Sequence, residues 1–93
     1  MKSYELMTIT KFNTGEEGAR NISNEIKDLI SKQKGKVMND DFWGKRKFAF
    51  KVGAETEGFY DVIKFEMEPE EVEKMQLKLK TMDSLVRYLV TAE

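Results

Sequence analysis

The chain has 93 residues, 40% of them apolar and 35% charged, which is material for a single domain, residues 1–93, around one modest core. It contains no cysteine and no histidine, which excludes disulfides, zinc–thiolate sites and iron–sulfur clusters and removes the commonest general base and transition-metal ligand. Its net charge of −1 hides an uneven spread: residues 1–51 carry eleven Lys/Arg against seven Asp/Glu, and residues 52–93 carry five against ten.

Residues 3–11, SYELMTITK, read as a first strand, β-branched and aromatic without a breaker. Thr14-Gly15-Glu16-Glu17 has the spacing of a capping box, with the threonine hydroxyl accepting from a first-turn N–H and Glu17 reaching back. The helix that follows places Ala19, Ile22, Ile26, Leu29 and Ile30 on one stripe, and Gly35 stands where a left-handed cap would end it. Residues 36–52 read as a long strand bent near Asp40-Asp41 and Gly44. In its second half Phe48, Phe50 and Val52 point one way and Lys47, Ala49 and Lys51 the other.

Gly53 to Gly58 is polar with a glycine at each end, which predicts a hairpin loop before a third strand, Phe59–Met67. Glu68-Pro69-Glu70-Glu71 opens a second helix, with proline in the first turn and carboxylates at the positive end of its dipole. Val72, Met75, Leu79 and Met82 form its apolar stripe. Asp83-Ser84 turns the chain into a last strand, Leu85–Thr91. The order strand–helix–strand–strand–helix–strand, with one apolar stripe per helix, is met by an α+β ferredoxin-like split β-α-β sandwich: a four-stranded antiparallel sheet with both helices on one face. The other face is then uncovered, and the first and third strands show no clean alternation to say what lines it.

Few chemistries fit. No run of about 18 apolar residues occurs, so no membrane span is expected. MKSYELMTITK has neither an apolar core nor a small-residue cleavage site, so a cytoplasmic rather than secreted protein is expected. Glu66, Glu68, Glu70, Glu71 and Glu73 crowd one junction, but without the glycine-bearing loop of a calcium hand they read as a charged helix start rather than a metal site. The serines have no histidine to pair with, and no GxxxxGK loop is present, so neither an enzyme nor a cofactor or small-molecule substrate is expected.

The remaining signal is WGKRKFAFKV, residues 43–52, in which Lys45, Arg46, Lys47 and Lys51 are threaded between apolar side chains. It reads either as a strand whose lysines snorkel into water or as a surface for phosphates, and the two readings are compatible. Trp43 either stacks on a base, fills a partner's pocket or packs on its own domain. Arg87, alone among Leu85, Val86, Tyr88, Leu89 and Val90, either pairs with a strand carboxylate such as Glu5 or presents its planar donors to RNA. Stacking in the manner of an RNA-recognition motif is not expected. After Gly58-Phe59 the third strand places Tyr60, Asp61 and Lys64 where that motif needs a small residue and two aromatics.

The opening YELMTI, the central WGKRKFAF, the strand EGFYDVIKFEM and the closing MDSLVRYLVT together resemble the bacterial small-subunit ribosomal protein number six family, in order and along nearly the whole chain. The pattern Gly44, Arg46, Ala49, Phe50 is the most specific piece. The resemblance implies a ferredoxin-like, non-enzymatic component of the small ribosomal subunit in the cytoplasm. It further implies binding to the central domain of 16S rRNA together with small-subunit ribosomal protein number eighteen. By position it implies RNA or partner contacts at Lys2, Tyr4, Arg46, Lys47 and Arg87, to which the basic–aromatic run adds Trp43 and Lys45. Val86 and Met82 stand where many family members have arginines, which weakens that contact or shifts it to Lys80. A stand-alone protein-interaction domain using the open sheet face is the alternative.

Overall fold

A computed structural model of the chain describes residues 1–52 and 55–93, with side chains described outside residues 48–55. Strand β1 (Lys2–Lys11) leads through a 3₁₀ turn (Phe12–Thr14) into helix α1 (Gly15–Lys32). Strands β2 (Lys36–Val52) and β3 (Glu55–Met67), helix α2 (Pro69–Leu79) and strand β4 (Leu85–Ala92) follow. The strands form one antiparallel sheet in the order β2-β3-β1-β4, with β3 and β1 inside and β2 and β4 as edges. This is the ferredoxin-like α+β arrangement.

The core lies between the sheet and both helices. Tyr4 and Leu6 of β1 and Ile63, Phe65 and Met67 of β3 meet Ile26 and Ile30 of α1 and Val72, Met75 and Leu79 of α2. Because side chains alternate along a strand, this fixes the faces of β1 and β3 throughout: Thr8 and Thr10, and Phe59 and Asp61, also point to the helix side, and all four are buried. The alternation invisible in the sequence is therefore regular in space. It was masked because two threonines and an aspartate occupy inward positions while Met7, Ile9 and Val62 occupy outward ones.

Local details depart from the sequence-based expectation for physical reasons. Thr14 makes no capping hydrogen bond, because the 3₁₀ turn has already given it helical angles (φ −69°, ψ −26°); the break falls at Gly15, whose φ of +78° suits glycine. At the other end of α1 the left-handed residue is Lys34 (φ 63°), not Gly35. The Gly35 N–H donates to the Ile30 carbonyl at 2.8 Å and that of Lys34 to Ser31 at 3.0 Å, which is a Schellman ending with lysine in the left-handed seat. Gly35 is needed for room instead: a Cβ there would stand 2.9 Å from the Glu66 carbonyl oxygen. The register of β2 shifts between Val37 and Asn39, between Phe42 and Gly44, the second place expected, and between Lys47 and Val52, but not at Asp40-Asp41. Residues 55–58 of the expected loop belong to β3, and Gly53 and Ala54 lie outside the described residues. Met82 lies beyond the end of α2 and packs on the core from the turn.

These two positions make opposite predictions. Lys34→Gly is expected to stabilise the fold by about 1 kcal/mol, by relieving a left-handed non-glycine residue. Gly35→Ala is expected to cost about 1–3 kcal/mol, because β3 backbone would have to move. Urea unfolding midpoints of the two variants check both.

Candidate nucleic-acid and partner interface

The face of the sheet away from the helices is built row by row from cross-strand pairs, whose side chains share a face. Arg87 of β4 stands opposite Ile9 of β1, and Ile9 opposite Tyr60 of β3. Tyr60 in turn pairs with Gly44 of β2. Between Phe42 and Gly44 the register slips by one residue, and the extra residue is Trp43. Gly44 closes this bulge at φ +80°, a conformation that favours glycine. The bulge lays the Trp43 ring parallel to Tyr60, with centroids 6.1 Å apart and planes at 9°, while the indole N–H donates to Asp41 Oδ2 at 2.9 Å. Arg87, Ile9, Tyr60 and Trp43 thus form a continuous row across all four strands.

The next row along the strands is Leu89, Met7, Val62 and Asp41, which is apolar but for its last member. On the other side lie Lys11 and Arg46, both paired with Gly58, whose lack of a side chain leaves a gap between two cations. The face therefore has an apolar and aromatic centre with three cations, Arg46, Lys11 and Arg87, at one end. Trp43 is 44% and Leu89 52% exposed on the two edge strands, while between them Ile9 is buried and Met7, Tyr60 and Val62 are half-buried, so the face is open chiefly at its edges. Among the described residues neither Arg87 nor Arg46 has an ion pair; Arg46 Nη1 donates only to the neighbouring Lys45 carbonyl at 2.9 Å. Arg87 lies on an edge strand, yet it reaches the open face as a central residue would, and Glu5, four residues along β1 from its partner Ile9, stands opposite Thr91 instead.

The cations of the WGKRKFAFKV run do not share one face. Lys45 and Lys47 pair with Phe59 and Glu57, on the helix side, so only Arg46 of the three joins Trp43. Lys45 Nζ sits 5.4 Å from the Phe12 ring centre, which itself stacks on Phe59, and lies 4.0 Å from Glu57 Oε1. Lys47 is exposed beside it. The expected core role of Phe48, Phe50 and Val52, and the direction of Lys51, concern side chains outside the described residues.

Two further positions are separated from this end. Tyr4 is buried, its ring stacked on Phe65 at 5.6 Å, so it belongs to the core rather than to a contact surface. Lys2 is exposed but pairs with Met67 at the far end of the sheet, nine residues from Lys11. At about 3.3 Å per residue that is roughly 30 Å away. Reading the sequence missed Met7, Ile9, Lys11, Tyr60, Val62 and Leu89 as parts of the face. Their signal is the outward parity of β1 and β3, which becomes readable only when the core side is known.

Three comparisons bear on what this face belongs to. Residues 3–92 match the family model described as ribosomal protein S6. A small ribosomal subunit protein bS6 of Symbiobacterium thermophilum is 34% identical over 90 residues, covering 97% of this chain and 95% of that one. The crystal structure of 30S ribosomal protein S6 from Thermotoga maritima superposes with a TM-score of 0.94 at 27% identity, over 99% of this chain and 87% of that one. The C-terminal domain of the MgtC protein from Mycobacterium tuberculosis shares the fold alone, at a TM-score of 0.66 and 9% identity, so the fold does not by itself assign a role. With the family model and relatives matched along nearly its whole length, the chain belongs to the ribosomal protein S6 family, a non-enzymatic component of the small ribosomal subunit in the bacterial cytoplasm.

Proposed function

We propose that this chain binds the central domain of 16S rRNA jointly with small-subunit ribosomal protein number eighteen, through the open sheet face. The observation that carries the reading is the row of Arg87, Ile9, Tyr60 and Trp43 with Lys11 and Arg46 beside it. Such a face divides its work. The exposed Trp43 over the half-buried Tyr60 suits a protein partner, where tryptophan and tyrosine make the most effective anchors. The cations at its end suit phosphates, with arginine's planar fork the better fit. Lys45 and Lys47, on the other side of β2, extend the positive edge to a second direction of approach.

The charge of the whole chain explains why two partners are needed. RNA affinity rises with the number of phosphates neutralised, and a protein of net −1 neutralises few. A basic protein partner seated on the apolar centre supplies the missing charge. The stand-alone interaction-domain reading shares the apolar centre but gives the arginines no RNA to contact.

Four outcomes are expected. The isolated chain binds a central-domain rRNA fragment weakly at physiological salt, and the partner protein tightens this roughly tenfold or more; tight, salt-resistant binding by the chain alone would sink the joint-binding reading. Arg46→Ala and Arg87→Ala each weaken assembly of the three components and lower the slope of log K against log salt by about one contact. Unchanged assembly in both variants would favour the interaction-domain reading. Trp43→Ala weakens the protein pair by about 2 kcal/mol or more, measured by calorimetry without RNA. The fluorescence of Trp43, the sole tryptophan, shifts when the partner is added.

A further inference from the structure

On the helix side of the same strands, two carboxyl groups face each other under α1. In the β2–β3 register Asp40 pairs with Ile63 and Phe42 with Asp61, so Asp40 and Asp61 are diagonal neighbours on one face. Asp61 is 3% exposed. Asp40 Oδ2 accepts from Lys27 Nζ at 2.6 Å and from Ser23 Oγ at 3.4 Å. The other three oxygens, Asp40 Oδ1 and both of Asp61, are buried with no protein donor.

Charge and hydrogen bonding point to the same missing element. Lys27 compensates one carboxylate; a second ionised carboxylate here would be buried, unpaired and beside a like charge, which is strongly unfavourable. As diagonal neighbours on one face of adjacent strands, Asp40 and Asp61 are placed to meet under α1. Two carboxylates are both acceptors, so that contact becomes a hydrogen bond only when one of them is protonated. A bound metal ion fits less well. No group of three or more His, Cys, Asp or Glu is gathered to hold one among the described residues, and the Lys27 ammonium already occupies the open side of Asp40.

We propose that Asp61 is kept as the neutral acid and donates its proton to Asp40, so that Asp61, Asp40, Ser23 and Lys27 form a proton-dependent clasp joining α1 to β2 and β3. The groups facing the clasp are few. From α1 come Ser23 and Lys27, with Arg20 alongside, its guanidinium 4.4 Å from the Phe42 ring centre. From β1 comes Thr8, opposite Asp61, which does not titrate.

Burial, then the hydrogen bond and charge of Asp40, push the Asp61 carboxyl up to about 7, against smaller opposing effects of Ser23 and Lys27. Burial also pushes Asp40 upward, but hydrogen bonds from Asp61, Lys27 and Ser23 and the Lys27 charge outweigh it and hold Asp40 below its ordinary 3.8. The sign follows. The folded state holds the Asp61 proton more tightly than the unfolded chain, so the contribution of Asp61 is full below about pH 4 and is lost as pH rises through about 7. Asp40 acts oppositely, its contribution being present above about pH 4 and lost as pH falls below that. The singly protonated pair is therefore the form held across the window between them.

The test is done on the full chain. Carboxyl-carbon NMR of the wild type is expected to show Asp61 titrating with a midpoint near 7; a midpoint near 4 overturns the clasp. Urea unfolding of the wild type at pH 5 and pH 8 is expected to differ by tens of fold in the unfolding constant, on the order that a shift from 3.8 to about 7 implies. Asp61→Asn, whose amide donates to Asp40 without titrating, is expected to flatten that dependence; equal slopes in the two proteins overturn the clasp. Repeating the NMR titration with sodium or magnesium at fixed ionic strength leaves the midpoint unmoved, and a cation-dependent midpoint would mean that a metal ion holds the place of the proton. The wild-type titration decides the matter even if the variant does not fold.

Discussion

Two helices cover only one face of a four-stranded sheet, and side chains alternate strictly between faces. Once Leu6, Ile63 and Phe65 are committed to the helix side, every neighbour in β1 and β3 is committed to the other. A one-residue slip of either strand would send Met7, Ile9 and Val62 into the core and Leu6 and Ile63 into water, so the register of these two inner strands is held by the whole apolar core. That register also decides which side chains meet a partner. The interface is the reverse side of the core and inherits its precision from the packing beneath it.

The polar and apolar residues are divided unusually between the faces. Toward the Lys11 end of β1, the inward positions are Thr8, Thr10 and Asp61 with one aromatic, Phe59, while the outward ones include Ile9, Tyr60 and Trp43 beside Lys11, Arg46 and Arg87. An isolated sheet would gain more from the reverse. The outward apolar row becomes favourable when a partner removes it from water, at about 25 cal/mol per Å² of apolar surface. The exposure left at Trp43 on the β2 edge is thus a stability cost that binding offsets, whereas Ile9 is already buried within the sheet. The bulge at Trp43 serves the same end, adding one residue to β2 so that a large ring covers Tyr60 instead of leaving the edge strand flat.

This division also explains what could be read in the sequence. The helices were legible because their stripes, Ala19 to Ile30 and Val72 to Leu79, obey a single rule with one buried side. The element order and the sheet with both helices on one face followed from them. The strands were harder. Thr8 and Asp61 break the inward pattern and Ile9 and Val62 fill the outward one, so hydropathy alternation cancels. Within WGKRKFAFKV the cations were visible and alternation separates Lys45 from Arg46, but the extra residue at Trp43 shifts parity, so the sequence does not say that Arg46 is the one on the open face. Tyr4 looked like a contact residue because of its place in a motif, whereas its ring completes the core on Phe65. Gly35 was legible as necessary but for the wrong reason, since close approach to the Glu66 carbonyl is a contact between segments thirty residues apart.

The two sides of the sheet are linked at one place. Asp61 points inward between Tyr60 and Val62, which both point outward, and Asp40 points inward beside Asp41, whose carboxylate accepts the Trp43 indole N–H. A carboxyl pair at this spot therefore sits behind the aromatic row, with Asp61 one peptide unit from Tyr60 and Asp40 three residues from Trp43. Apolar residues at positions 40 and 61 would fill the space under α1 without any dependence on a proton. Two aspartates there tie the packing of α1 on β2 and β3 to an ionisation, at the strands that position Trp43 and Tyr60. The clasp and the open face thus share strands β2 and β3, with Asp61 lying between Tyr60 and Val62 and Asp40 beside Asp41.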